Sequence, residues 1–266
     1  MPEKVVLVTG ASSGLGKALA EYLHRNGYKV YGTSRRPVSS TPFSMLVLDV
    51  TSSESVDAAV AELLQREGRI DILVNNAGIG LAGPLEHLQM TNVKNVFDTN
   101  VFGVLRVCQA VLPAMRKQGN GRIFNIGSIG GEFGLPFRGM YSATKAALGI
   151  ISDAMRFETG RFGVQTTTIL AGDMQTAIND HRIKDYRPGD EAYAAVFEKV
   201  YAAMDQHVDH GLPAEEAARR IERLFRVPKL KSRYAVGPGS QVLSVLLKKI
   251  LPAFWMERIL AGYAKV

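Results

Sequence analysis

The chain has 266 residues, 46% hydrophobic and 21% charged, which excludes disordered and collagen-like classes and allows a sizeable core without covalent staples. Its one cysteine rules out an intramolecular disulfide or a cysteine-built zinc site, and with no charged, apolar, cleavable leader before Val5 the expected compartment is a reducing cytoplasm. The net charge of +7 fits nucleic acid, an anionic membrane or a phosphate-bearing ligand until its location is known, and no run has the length of a membrane-spanning helix.

From the amino terminus, short apolar, β-branched runs alternate with helix-period stretches, the pattern of βαβ units feeding a parallel sheet. Strands are expected at 5–9, 29–33, 45–49, 70–75, 122–126, 164–170 and 233–236, and helices at 14–26, 53–67, 93–117, 141–161, 192–205 and 213–225. No repeat, low-complexity tract or linker interrupts them, so residues 1–239 are expected to form one doubly wound α/β domain and 240–266 an amphipathic extension of it. Ligands of such a sheet sit at the carboxyl ends of its strands.

The first strand runs into Thr9-Gly10-Ala11-Ser12-Ser13-Gly14-Leu15-Gly16. Glycines at this spacing permit a tight turn and close backbone approach, so that a pyrophosphate can rest on the free N–H groups at the positive end of the helix. A strand-to-helix turn can also need them for structure alone. At the second strand's end stands Ser34-Arg35-Arg36, with no carboxylate to receive a ribose hydroxyl. Arginine there neutralises a 2′-phosphate, favouring NADP(H) over NAD(H), with Arg35 first and Arg36 second. Asp49, before Val50 at the third strand's end, either meets the adenine or caps the helix after Thr51. Asn75-Asn76-Ala77-Gly78 closes the fourth strand, where small residues and amides suit both a sharp turn and a passing ribose.

In the helix at 93–117, Phe97, Val101, Val104, Cys108, Val111 and Met115 form a core stripe, which makes Cys108 a small packing group. Val96, Gly103, Val107 and Ala110 form a second stripe that contains Asn100, an amide that needs a partner. Ser128 follows the fifth strand, and thirteen residues later come Tyr141 and Lys145, one helical turn apart. Ala143, Ala147, Ile150, Ala154 and Phe157 are expected to mark that helix's buried face. A tyrosine exchanging protons near neutrality needs a nearby cation, which Lys145 supplies, while Ser128 can hydrogen-bond a substrate oxygen.

Taken in order and spacing, Thr9-Gly-x-x-x-Gly-x-Gly16, Asn75-Asn-Ala-Gly78, Asn100, Ser128 and Tyr141-x-x-x-Lys145 resemble the short-chain dehydrogenase/reductase family over roughly the first 175 residues. The resemblance implies a Rossmann-type fold with a seven-stranded parallel sheet and a metal-independent, nicotinamide-dependent oxidoreductase. It further implies Tyr141 as general acid/base, Lys145 on the nicotinamide ribose, Ser128 orienting the carbonyl or alcohol, and Asn100 anchoring a relay water. Where the family has Pro-Gly-x-x-x-Thr, this chain has Ala171-Gly172-Asp173-Met174-Gln175-Thr176. Gly172 and Thr176 stay available to the nicotinamide carboxamide, but the turn loses the restraint of a proline ring.

The segment Gly134–Tyr141, the stretch 177–212 and Tyr234-x-Val-Gly237 are similar to the hydroxysteroid, retinol and keto-lipid reductase branch. Phe133, Leu135, Phe137, Met140 and Met174 either wall an apolar pocket beside Tyr141 or form a second small core. The substrate class this implies is a bulky, largely apolar ketone or alcohol, with a small polar ketone or a non-catalytic nicotinamide sensor as alternatives. A homodimer or homotetramer is expected. Residues 240–264 are apolar with interleaved Lys248, Lys249 and Arg258, and Pro252 should split them into two helices that cover the pocket, pack on a partner subunit or lie on a membrane surface. Seven basic residues between Arg219 and Arg233 face one acid, Glu222. Glu215, Glu216 and Glu222 precede arginines by one turn and a single aromatic, Phe225, interleaves the basic residues, so the excess charge reads as a solvated helix and not as a nucleic-acid surface.

Overall fold

A computed structural model describes residues 3–176, 182–187, 189 and 191–266. Its central strands are β1 (Val5–Val8), β2 (Lys29–Ser34), β3 (Ser44–Val47), β4 (Ile72–Asn75), β5 (Gly121–Ile126), β6 (Val164–Ala171) and β7 (Arg233–Val236). All pairings are parallel, in the order β7-β6-β5-β4-β1-β2-β3. β1 is buried throughout because alternate residues feed opposite layers: Val6 and Val8 pack in one core, Val5 and Leu7 in the other.

The first core is closed by α1 (Gly14–Arg25) and α7 (Ala214–Leu224), through Leu19 and Leu23 against Ala217 and Ile221. The second is closed by α2 (Ser53–Glu67), α4 (Gly103–Gln118) and α5 (Gly139–Gly160). Helix ends follow their chemistry. The Ser52 hydroxyl accepts from Ser55 N to start α2, and left-handed Gly68 and Gly119 stop α2 and α4. Ser52, and not Asp49, is therefore the cap; Asp49 instead accepts from the Thr51 amide and hydroxyl at 2.9 and 2.7 Å.

Two helix expectations are corrected. The helix expected at 93–117 is α3 (Met90–Phe97), a π-helical turn at Asp98–Phe102 and α4. The turn coincides with Asn100, whose side chain bonds both backbone groups of Ile79. On α5 the expected buried face is inverted. Ile150 and Phe157 are 65% and 85% exposed, while Tyr141, Thr144, Lys145, Leu148, Ser152 and Met155 face inward. Its sheet-facing side can carry Ser152 because that hydroxyl joins buried amides of the sheet: Asn75 Nδ2 donates to Asn125 Oδ1 at 2.9 Å, Asn125 Nδ2 to Ser152 Oγ at 2.8 Å, and Ser152 Oγ to the Leu148 carbonyl at 2.7 Å.

Within 177–212, residues 177–181, 188 and 190 lie outside the described residues; α6 (Glu191–Asp209) covers the predicted helix. Ile183–Lys184 pairs with Leu81–Ala82, and Met174–Gln175 with Leu212–Pro213, two short ladders that periodicity does not reveal. The chain ends in α8 (Gly239–Leu247) and α9 (Ala253–Ala264), with Pro252 as the α9 N-cap. Phe133 and Leu135 pack under these two helices, Phe137 against α6, and Met140 beside Leu81. They therefore belong to small cores and do not line the cleft described next; of the five candidate wall residues, Met174 alone does.

Candidate active site

A cleft of about 590 Å³ crosses the carboxyl ends of the strands. At one end the loop 9–16 supplies Gly10, Ser12, Ser13, Gly14 and Leu15. Gly10 has φ +67°, and a Cβ there would lie 2.9 Å from the Ala77 backbone. Gly16 does not line the cleft; a Cβ on it would fall 2.3 Å from Asn76 Nδ2 and from the Gly10 carbonyl, so its role is close packing behind the loop. Ser13 occupies the α1 N-cap without a side-chain capping bond, and the first turn carries no acid. Free N–H donors at a positive helix end, with no competing carboxylate, form a cradle for phosphate.

Beyond the loop, Ser34 and Arg35 line the cleft from β2, and Asp49 and Val50 from the turn after β3. Arg36 does not: it stands exposed, and its carbonyl accepts from the Ser34 hydroxyl. Asn76, Ala77 and Gly78 follow β4 into the wall. Buried Thr9 fixes them there, its hydroxyl oxygen accepting from the Asn76 and Ala77 amides at 3.0 and 3.1 Å.

The other end of the cleft gathers Ser128, Tyr141 and Lys145, each less than a tenth exposed. Lys145 Nζ donates to the Ile126 carbonyl at 2.8 Å and lies 5.9 Å from the Tyr141 ring centre. Ser128 Oγ accepts from Gly130 N at 3.0 Å, which leaves the hydroxyl hydrogen free to donate. Asn100 is fully buried behind this group, its side chain on Ile79 and Thr144 instead of in the cleft.

At the end of β6, Gly172, Asp173, Met174 and Thr176 enter the wall. The restraint a proline at 171 would give comes from another element: the Asp173 amide donates to Gln241 Oε1 of α8 at 2.8 Å. The Asp173 carboxylate accepts from Gln241 Nε2 and, at 2.5 Å, from Tyr263 OH of α9. Burial, then the Asp173 charge, pushes the Tyr263 phenol well above its ordinary range, so it stays a donor. His207 of α6 stacks on Tyr263 with ring centres 4.3 Å apart.

Arg138 is the residue sequence reasoning missed at this end. It lines the cleft with its guanidinium 5.0 Å from the Tyr141 ring centre and makes no ion pair among the described residues. The available signal was an arginine three residues before Tyr141 with no acid within a helical turn of it. Among the described residues no group of three or more His, Cys, Asp or Glu could hold a metal ion.

The short chain dehydrogenase family matches residues 4–187. The 3-ketodihydrosphingosine reductase of Bacteroides thetaiotaomicron is 39% identical over 259 residues, covering 97% of this chain and 96% of that protein. The NADPH-dependent 3-dehydrocapnine reductase of Ornithobacterium rhinotracheale is 31% identical over 271 residues, covering 96% and 95%. Among solved structures, a short-chain dehydrogenase from Streptomyces avermitilis superposes with a TM-score of 0.81 at 33% identity, covering 98% of each chain. The protein belongs to the short-chain dehydrogenase/reductase family of oxidoreductases, in its hydroxysteroid and keto-lipid reductase-like branch.

Proposed function

We propose that this protein is an NADP(H)-dependent oxidoreductase that interconverts the carbonyl and secondary alcohol of a bulky, largely apolar substrate, with Tyr141 as the proton-exchanging group. The observation that carries this reading is the meeting of Ser128, Tyr141 and Lys145 at one end of a cleft whose other end holds a phosphate-type glycine loop and Arg35. Gly10, Ser12, Ser13, Gly14 and Leu15 would hold the pyrophosphate, Ser34 and Arg35 the 2′-phosphate, Asp49 and Val50 the adenine. Asn76, Ala77, Gly78, Lys145, Gly172 and Thr176 would hold the nicotinamide half. NAD(H), which lacks the 2′-phosphate, gives Arg35 no partner and is the weaker cofactor. When bound, the cofactor supplies or accepts the hydride.

Ser128 donates to the substrate oxygen and orients it, and Tyr141 gives that oxygen its proton or removes it in the reverse direction. Lys145 keeps a positive charge beside the phenol. Asn100 holds the Ile79 backbone, which forms part of the cleft wall. Ile79, Leu81, Met174, Ile183 and Val208 give the substrate side an apolar lining, which supports the substrate class together with the names of the two relatives. The uncovered Ile150 and Phe157 on α5 support a homodimer or homotetramer.

Tyr141→Phe should retain the melting curve and the thermal shift on NADPH addition while turnover of long-chain ketones, read at the reduced-nicotinamide absorbance band, falls at least about a hundredfold. Near-normal turnover would remove Tyr141 from this role, and turnover of small polar ketones alone would overturn the substrate class.

A further inference from the structure

Helices α8 and α9 turn their inner sides to one small core, where Val245, Leu247, Leu251, Met256 and Leu260 pack on Phe133 and Leu135. A helix on a protein surface ordinarily has one apolar stripe and a polar outer side. Here the outer side is apolar as well. Leu243, Leu246 and Ile250 follow at helical spacing and are 51%, 58% and 75% exposed, and Phe254, Trp255 and Ile259 continue on α9 at 56%, 53% and 43%. Residues 240–266 carry Lys248, Lys249, Arg258 and Lys265 against one acid, Glu257. The Arg258 guanidinium lies over Phe254 and Trp255, 4.5 and 5.8 Å from their ring centres, and Lys249 is exposed with no ion pair among the described residues.

We propose that this outer face docks on an anionic lipid bilayer surface. Charge decides the occupant. A second copy seated on the same face would bring the two sets of Lys249 and Arg258 together, with a single Glu257 from each side to offset them. A bilayer surface instead offers apolar chains below and phosphate above, which suits aromatic and aliphatic groups flanked by cations on a helix lying in the interface. The helices lie on the surface and do not cross it: α9, with 12 residues, spans about 18 Å against a hydrocarbon core of about 30 Å. The docked plate is tied to the cleft rim through Gln241 and Tyr263 on Asp173.

Trp255 is the chain's one tryptophan and reports on this face directly. The full chain is floated with phosphatidylcholine vesicles with and without phosphatidylglycerol, and Trp255 emission is followed with lipids brominated in the acyl chain. The expected result is flotation with the anionic vesicles, a blue shift and bromine quenching. Lys249→Gln and Arg258→Gln should each weaken binding about fivefold, and Ile250→Ser/Phe254→Ser should abolish it with an unchanged melting temperature. No flotation with anionic vesicles, flotation unaffected by these substitutions, or a dimer that Ile250→Ser dissociates without vesicle binding would each overturn the proposal.

Discussion

Arg35 and Arg36 are chemical twins in adjacent positions, yet they have different surroundings. The backbone leaving β2 turns Arg35 to the cleft, while the Ser34 hydroxyl holds the Arg36 carbonyl and leaves that side chain in solvent. Arg35→Asp should therefore lower kcat/KM for NADPH by about tenfold or more through loss of a charge-assisted contact. It should change NADH far less, and Arg36→Asp should leave the ratio near the parent value. Steady-state kinetics with both cofactors checks this, and equal effects of the two substitutions would show that the cleft does not distinguish them. The sequence offered both residues because a charge motif carries no side-chain direction. It was more informative at Gly10, where residue type alone reports the backbone conformation, and at Tyr141 and Lys145, whose four-residue spacing puts them on one face of any helix.

Between elements, the seam of α6 with α9 rests on the His207–Tyr263 stack. Burial holds the His207 imidazole below its ordinary pKa, Lys265, Arg138 and His210 add to this, and Asp173 opposes it. Because the folded pKa is depressed, unfolded chains bind the proton more readily. The stabilisation is complete above the ordinary histidine value and is lost as pH falls through the folded one. Amide exchange across 253–264, corrected for the intrinsic pH dependence, should therefore accelerate on acidification below the ordinary histidine value. His207→Phe, which keeps an aromatic ring, should remove that step, and an identical pH response in the variant would assign it to another group. This stack joins positions 56 residues apart and the Asp173 bonds join positions 68 and 90 residues apart, and no local pattern announces them. The α5 face was misjudged for a related reason. Apolar periodicity marks what avoids water, but Asn125 and Ser152 bury polar surface as a matched pair, and Ile150 and Phe157 remain uncovered in a single chain.

Across the whole molecule, alternation of strands and helices was enough to specify the doubly wound sheet, since each apolar run had a helix to cover it on either side. The charge excess was legible in part: Glu216 pairs with Arg219 and Arg220, and Glu222 with Arg226, but Glu215 pairs across to Arg25 of α1 and not with Arg219. Cys108 lies in the core between the sheet and α4, and burial, opposed by the Asn75 amide, pushes its thiol up to about 12. A thiol reagent at mildly alkaline pH should leave the native chain unmodified and label it along the same denaturant curve as loss of ellipticity. Rapid labelling without denaturant would mean that this layer opens on its own. The buried amides above Cys108 have a second consequence. Apart from Asn75, Arg122 and Asn125, β4 and β5 are apolar on both faces, so sliding one along the other by a residue would cost little in greasy contact alone. Asn75 stands directly opposite Asn125, and any slip breaks the hydrogen bond between these two buried amides. That pairing acts as a proofreading mark for assembly: it admits one alignment, the one that carries Ile126 and Ser128 to the end of the sheet where Lys145 meets them.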